Sequence, residues 1–384
     1  MIYKYISKNN DINNIINYII MTQNTNQINS GLINFGNNCY LNTVIQCLRF
    51  CPSMTQMFKD DKNDEIILLK TEKIKENKEI SDDDRVYIDR AKVYFNLKKL
   101  LLELIQKSGN ICPKQFILAC LQLSKHTGME YLFTEQNDIQ ECLAFVLDSV
   151  HECKAHSVNM VINCNESELE DVVDKIKYKA LNTMKKYFEK RYSWVVGKFY
   201  YPVMCMTNCS KCNYATFSYD PHNMLCLPIP DGNSISLNDC LDHNFGDEVF
   251  GGDNCWKCDK CNNTEGNFRR YRMIDTPETL IINIKRFIPT MNGYKKNSSN
   301  IDFPKILNIS PYKFGGDKTK CTYKLFAVGN HIGMMSFGHC YAFCRDLKDE
   351  NTWYCLNDTN VSKIDESQIY SDKAYVLFYQ RIGD

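Results

Sequence analysis

From Leu41 onward, apolar side chains recur at Leu41, Val44, Ile45 and Leu48, the i, i+3, i+4, i+7 spacing of one helical face, and Pro52 closes the run. A second patterned helix is predicted over 138–150, with Ile139, Cys142, Leu143, Val146, Leu147 and Val150 on one side. Between them, Val93–Ile105 and Gln115–Leu123 carry the same period, and the charged stretch 165–191 has helical composition. The charge run 59–90 reads as a solvated loop or helix face. From about Phe199 the period shifts towards two, in runs such as TLIINIKRFI, YKLFAVGNHI and AYVLFYQR, separated by turn signals at Asp231-Gly232, Gly251-Gly252, Asn292-Gly293 and Gly315-Gly316. Helices first and strands later predict an α+β fold, a helical half against a mainly antiparallel sheet. Residues 1–30 are polar and punctuated, and are expected to form a loosely ordered arm with room for one short helix.

Composition narrows the function classes. The 384 residues can bury one large core or two smaller ones, with 44% hydrophobic content. Lys+Arg and Asp+Glu both number 46, so neither a nucleic acid nor an anionic membrane is expected as partner. The first thirty residues lack a cationic segment followed by an unbroken apolar one. No run approaches the roughly 18 apolar residues of a membrane span. The expectation is a soluble monomer inside the cell, in the cytoplasm first and the nucleus as the alternative. Its twenty cysteines then read as reduced thiols plus a metal site.

Two Cys-x-x-Cys knuckles, Cys209–Cys212 and Cys258–Cys261, stand 45 residues apart. Such a spacer lets both sulfurs of a tight turn reach one ion, and two knuckles complete the closed thiolate shell of structural zinc. Cys255-x-x-Cys258 is an equally valid knuckle. The pair Cys258/Cys261 is preferred because, like the first, it carries Lys before its closing cysteine.

One cysteine is different. Cys39 follows the glycine turn Gly36-Asn37-Asn38 and stands at the mouth of the first helix, where the dipole and free N–H groups favour a thiolate. The partners of a Cys–His hydrolase are present downstream. Gly338-His339 opens a strand-like run and Asn357-Asp358 follows another. His331 is the rival histidine, and either Asn357 or Asp358 could orient the imidazole. The plainer reading of Cys39 is a buried small apolar side chain.

The stretch Gly31-Leu-Ile-Asn34-Phe-Gly-Asn-Asn-Cys39-Tyr-Leu-Asn-Thr43-Val-Ile-Gln46 resembles the cysteine box of the ubiquitin-specific proteases. The likeness continues in order through Gln136-Asn-Asp138-Ile-Gln-Glu141, the two knuckles, Tyr219–Pro230, Leu280–Phe287, Asp302-Phe-Pro304, Gly338-His339, Trp353–Asp358 and Ala374–Tyr379. It covers about 31–381.

The resemblance implies a papain-like hand: a helical thumb (about 31–196) carrying Cys39, then zinc-tipped fingers and an antiparallel β-sheet palm (about 197–384) carrying His339. It implies a thiol-dependent deubiquitinase cutting after the C-terminal glycine of ubiquitin, with ubiquitin and ubiquitinated proteins as partners. Cys39 would be the nucleophile, His339 the base, Asn357 the orienting residue with Asp358 in support, and Asn34 an oxyanion donor. Asp138 and Glu141 would meet the arginine-bearing ubiquitin tail, although Asp-x-x-Glu at a helix start is also a capping box. Cys209, Cys212, Cys258 and Cys261 would hold structural Zn2+. One departure stands out: Cys340 occupies the position after the histidine, where the family usually has Tyr. A catalytically silent ubiquitin-binding scaffold would require a broken triad. A protease for another ubiquitin-like modifier would keep it.

Overall fold

The computed structural model describes residues 29–59, 61–252, 255–291, 293–316, 318–334 and 337–383. The arm expected over 1–30 lies outside them, apart from its last two residues. Ser30 is already paired: β1 (Ser30–Leu32) runs parallel to β2 (Gly109–Ile111).

The helical half comprises α1 (Cys39–Arg49), α2 (Asp61–Lys75), α3 (Asp82–Gln106), α4 (Lys114–Thr127), the short α5 (Tyr131–Thr134) and α6 (Ile139–Lys154). Local chemistry sets the ends. Ser81 caps α3 by accepting the Asp84 N–H, and three aspartates in its first turn complement the dipole. Gly128, at φ 72°, closes α4 in the left-handed region. Pro52 ends the first helical run by opening a tight 3-10 turn, Pro52–Phe58.

The sequence pattern predicts one buried face for α1; the structure buries all eleven residues, Asn42, Thr43, Gln46 and Arg49 included. The helix is central, packed between α3 and α6 on one side and the sheet on the other. Its polar residues are satisfied there: Arg49 donates to the Ser30 carbonyl (3.2 Å) and to Gln46 Oε1 (3.3 Å). Trimming Leu48 to Ala in such packing costs about 2–5 kcal/mol. The charge run is mostly a solvated helix face, as expected, but Asp64 and Asp89 are buried, Asp89 against Lys92 and His126. Asp64 accepts Lys98 and Lys154, each at 2.7 Å, binding α2 to α3 and α6.

Next come α7 (Val172–Phe188) and α8 (Trp194–Phe199), and then strands dominate. A four-stranded sheet has the order β4 (Ala215–His222), β3 (Tyr201–Asn208), β8 (Phe268–Met273), β7 (Glu248–Val249). Although α7 precedes it in sequence, it packs on β3 and β4 through Ile176, Ala180, Met204 and Ile274. Between β4 and β7 lie β5 (Leu225–Leu227), β6 (Ile235–Ser236) and α9 (Leu237–Phe245).

The larger, eight-stranded sheet contains β9 (Thr279–Ile284), β13 (Ile306–Asn308), β14 (Thr322–Gly333), β15 (Gly338–Arg345), β16 (Trp353–Asn357), β17 (Asn360–Ile364) and β18 (Ala374–Arg381). Its order is β17-β16-β15-β14-β18-β9-β5, with β13 also on β14. All pairs are antiparallel except β5 with β9. Three short strands, β10 (Phe287–Thr290), β11 (Gly293–Lys296) and β12 (Ile301–Asp302), flank it.

Side chains alternate across the sheet. Phe326, Cys340, Ala342 and Cys344 pack towards α1, and Leu325, Val328 and Phe343 face a second core with Leu237, Tyr323 and Trp353. Covered on both faces, β18 is buried from Ala374 to Tyr379, hence its unbroken apolar run. Among the described residues no helix is long and apolar enough to cross a membrane.

Candidate active site and cysteine cluster

Cys39 is the first residue of α1. Its cap, Asn38, bonds no amide of the first turn: Asn38 Oδ1 accepts the Phe35 N–H (2.6 Å) and Nδ2 donates to Asn42 Oδ1 (3.0 Å). The first helical bond runs from Asn42 N–H to the Asn38 carbonyl (2.9 Å). The Cys39 amide precedes that bond, has no acceptor within the helix and so lies at the helix mouth, where an N–H favours negative charge. Gly36, at φ 120°, makes the preceding turn.

This loop is held from far along the chain. Asp358, a non-glycine residue at φ 50°, accepts Asn34 Nδ2 on one oxygen (2.9 Å) and Asn42 Nδ2 on the other (2.7 Å). The Asp358 carbonyl takes the Leu32 N–H (2.8 Å). A Cβ on Gly31 would come within 2.7 Å of the Asp358 carbonyl oxygen and 2.6 Å of Thr359's, so only glycine permits this approach. Asp358 is therefore a clamp between the β16–β17 turn and the cysteine loop, a stronger structural role than the support expected of it. Asn34 is held in the same clamp. One of its amide hydrogens goes to Asp358, and its carbonyl takes the Gly36 and Asn38 N–H groups (2.8 and 3.4 Å), which leaves a single N–H for an oxyanion.

β15 delivers His339. Its Nε2 bonds Asn357 Oδ1 on the neighbouring strand (2.6 Å), and the ring hydrogen-bonds the Cys39 sulfur. Asn357 thus occupies the orienting position. His331, the rival histidine, pairs with Cys340 across the β14–β15 ladder and bonds Lys296 Nζ through Nδ1 (2.8 Å). A Cβ on Gly338 would lie 2.3 Å from His331 Nε2, which explains the glycine before the catalytic histidine.

Protonation follows from these contacts. The Cys340 thiol donates to Cys39, and that bond leads the influences that lower Cys39 to about 6. Burial opposes it, the Cys340 backbone N–H and His339 reinforce it, and the Asp358 carboxylate works weakly against it. Burial pulls His339 down, but the bond to Asn357 and the Cys39 charge outweigh it and the net shift is upward. A thiolate–imidazolium pair is the result. Burial, with Lys296 beside it, pushes His331 down to about 4, so it stays neutral.

Asp138 caps α6, with Oδ1 accepting the Gln140 N–H (2.6 Å) and Oδ2 the Tyr375 hydroxyl. The predicted capping box is only half formed, because the Asp138 N–H goes to Asn137 Oδ1 (2.7 Å) instead of Glu141. Burial raises Asp138; it also raises Glu141, which is exposed and feels the Asp138 charge. Gln136 reaches the other wall, accepting the Gly338 N–H at 3.1 Å. A cleft of about 320 Å³ opens beside the cysteine loop, lined by Phe35, Asn37, Asn38, Tyr40, Ile117 and Phe133 among others.

Sequence reasoning assigned no role to Asn38 or Asn42, although both lie in the cysteine box. Only the polar character of these buried positions could have marked them.

The four predicted metal cysteines converge, all four sulfurs within 4.8 Å of one another. Cys209 and Cys261 stand 3.5 Å apart, Cys212 and Cys258 3.6 Å. A tetrahedral ion about 2.3 Å from each sulfur requires edges of about 3.8 Å, so the set fits a metal. The knuckles are near copies. Asn213 N–H bonds the Cys209 carbonyl as Asn262 N–H bonds that of Cys258 (3.0 and 2.9 Å), and both asparagines have positive φ (55° and 60°). Cys255 lies outside the set, its thiol on the Gly252 carbonyl (2.9 Å).

The family model described as Ubiquitin carboxyl-terminal hydrolase matches residues 30–379. Bovine ubiquitin carboxyl-terminal hydrolase 2 is 27% identical over 359 residues, covering 91% of this chain and 55% of that protein. Human ubiquitin carboxyl-terminal hydrolase 21 is 31% identical over 201 residues, covering 51% of this chain and 35% of that protein. The chain thus spans about half the length, or less, of the curated relatives it matches. Among solved structures, the yeast SAGA DUBm superposes with TM-score 0.65 at 22% identity, covering 92% of this chain and 68% of that one. The SAGA DUB module bound to monoubiquitin gives TM-score 0.65 at 21% identity, covering 99% and 77%. By the family match over nearly its whole length, this chain belongs to the ubiquitin carboxyl-terminal hydrolase family.

Proposed function

We propose that this chain is a thiol-dependent deubiquitinase that hydrolyses the isopeptide or peptide bond after the C-terminal glycine of ubiquitin. One observation carries the reading: Cys39 sits at an uncapped helix N-terminus in contact with His339, whose far nitrogen is held by Asn357. The Cys39 thiolate attacks the carbonyl carbon, and the oxygen charge is received by the Cys39 N–H and the remaining Asn34 amide hydrogen. The His339 imidazolium gives its proton to the departing amine, then accepts one from the water that releases the acyl group. Asn357 fixes the ring throughout.

Asp138 and Glu141 are the proposed contacts for the arginine-bearing tail. Since Tyr375 and the α6 amides already occupy Asp138, exposed Glu141 is the freer acceptor. The cysteine cluster is proposed to hold structural Zn2+, which would supply a closed cross-link and no open coordination position. All triad members come from one chain, which supports a monomeric catalyst, and a thiol that must stay reduced fits the cytoplasm or nucleus.

A ubiquitin probe with a C-terminal electrophile tests this. Wild type should be labelled at Cys39 and Cys39→Ala should not. Absence of labelling in folded wild type rejects the enzyme.

A further inference from the structure

Two pairs of thiols lie along the contact between α1 and β15. At the helix mouth Cys39 and Cys340 lie in the one core shared by α1 and β15, and the Cys340 thiol and backbone N–H are the foremost donors favouring charge on the Cys39 sulfur. Four residues further along β15, Cys344 contacts Cys47 and bonds the Gln46 carbonyl (3.8 Å). Eight helical residues rise about 12 Å. Four strand residues rise about 13 Å. Helix and strand therefore advance in step, and the strand offers a thiol to the helix at both levels.

The two levels differ chemically. Cys47 and Cys344 are fully buried, and burial pushes Cys344 well above the ordinary thiol range. Cys39 has the Cys340 backbone N–H, a donor thiol and an imidazole around its sulfur, and 4% of its surface remains exposed. Only the upper pair joins a nucleophilic sulfur to a second thiol.

We propose that Cys340 is a resolving cysteine, making Cys39–Cys340 a reversible oxidation site that responds to hydroperoxides. In the first step the Cys39 thiolate attacks a peroxide oxygen; the S–O bond forms, the O–O bond breaks, and hydroxide (or alkoxide) leaves. In the second, Cys340 sulfur attacks Cys39 sulfur; the S–S bond forms and the S–O bond breaks. The departing hydroxide takes the Cys340 proton and becomes water. Peroxide is reduced and the thiol pair oxidised, two electrons in all.

The site itself times the second step. While Cys39 is a thiolate, its hydrogen bond is the foremost influence holding Cys340 protonated, with burial next. Conversion of Cys39 to a neutral sulfenic acid removes that charge and frees Cys340 to react. Because the two sulfurs stand on packed neighbouring elements, closure to a disulfide length of about 2.05 Å is movement on a side-chain scale. The disulfide would consume the attacking sulfur while shielding it from irreversible over-oxidation.

The inference rests on the thiolate reading of Cys39 made above, but its test needs no ubiquitin. The zinc-loaded full chain is exposed to hydrogen peroxide, quenched with catalase, and mapped by mass spectrometry under non-reducing conditions. Wild type should yield a Cys39–Cys340 cross-linked peptide, with Cys39 alkylation by iodoacetamide about tenfold slower and restored by dithiothreitol. Cys47 and Cys344 should stay reduced. In Cys340→Ser, Cys39 should instead gain two or three oxygens that dithiothreitol does not remove. The proposal is overturned if wild-type Cys39 stays unoxidised, goes to sulfinic acid as readily as the variant, or links to another cysteine. Should Cys340→Ser not fold, the wild-type map alone decides.

Discussion

Cys39 with Cys340, and Cys209 with Cys212, Cys258 and Cys261, gather sulfurs by different means and for different ends. At the cleft, negative charge on one sulfur is spread over backbone N–H groups, a thiol and an imidazole. The sulfur remains uncoordinated and so nucleophilic. In the cluster four sulfurs face one another, and they too receive backbone N–H groups, Cys209 those of Lys211 and Cys212 and Cys261 that of Asn263, but no imidazole. Four thiolates there need a cation between them, and once bound they are spent as nucleophiles. The lesson is that neither exposure nor proximity of thiols marks the reactive one. What marks it is the imidazole beside it.

If the two centres are separate in this way, each should fail without the other. His339→Ala should lower kcat for ubiquitin release by about 10³-fold or more, because it removes the proton donor and the cation beside the thiolate. Zinc content, followed with a chelating dye after thiol modification, should be unchanged. Cys258→Ser should do the reverse. It should release the metal and lower kcat/KM by about 10–10²-fold through KM, since the sheet of β3, β4, β7 and β8 loses its cross-link. The rate of Cys39 alkylation should stay at the wild-type value. A fall in that rate would show the two centres to be coupled.

Asp358→Ala probes the clamp, with a smaller expected effect. Asn34 and Asn42 would lose their shared acceptor, and the cysteine loop its anchor to the β16–β17 turn. Misplacement of a nucleophile by a fraction of an ångström justifies about a tenfold loss in kcat. The sign of a second readout separates this from an electrostatic role. The Asp358 charge works against ionisation of Cys39, so removing it should shift the acid limb of the pH–rate profile downward even as the rate falls. A rate loss with the limb moved upward would contradict the clamp.

Much of this was legible in the chain. Spacing identified α1 and α6, and paired Cys-x-x-Cys turns identified the cluster, because both signals are local and repeat a fixed geometry. Cys39 and His339 were singled out by chemistry of their own, Asn357 over Asp358 by the family resemblance, and the structure puts His339 on Asn357. The Asp358 clamp was not legible, since it joins positions 316 and 324 residues apart through side chains that look like ordinary turn asparagines. Burial of α1 on every side was missed for a related reason. Periodicity reports one apolar face, whereas Asn42, Gln46 and Arg49 are buried through hydrogen bonds that no pattern encodes. The packing of α7 on β3 and β4 depends on tertiary contact alone.

The smallest expected effect concerns the thiol donor at the cleft. With Cys39 lowered to about 6 and His339 raised above its ordinary value, the competent ion pair forms as pH rises through about 6 and is lost when the imidazolium gives up its proton at higher pH. The kcat/KM profile for a ubiquitin substrate should therefore be a bell whose acid limb lies near 6. Cys340→Ala removes the leading influence on Cys39 and leaves the backbone N–H and His339 in place, so the acid limb should move to higher pH. A movement of one unit from about 6 would lower the thiolate fraction by roughly fivefold at pH 6, but only by about a quarter at pH 7.5. Assays confined to pH 7.5 and above would thus show little of it. Cys340→Ser, which keeps a donor, should restore part of the shift. An acid limb unmoved in both variants would mean that the helix mouth and His339 alone hold the thiolate, and that the thiol beside Cys39 contributes nothing to its ionisation.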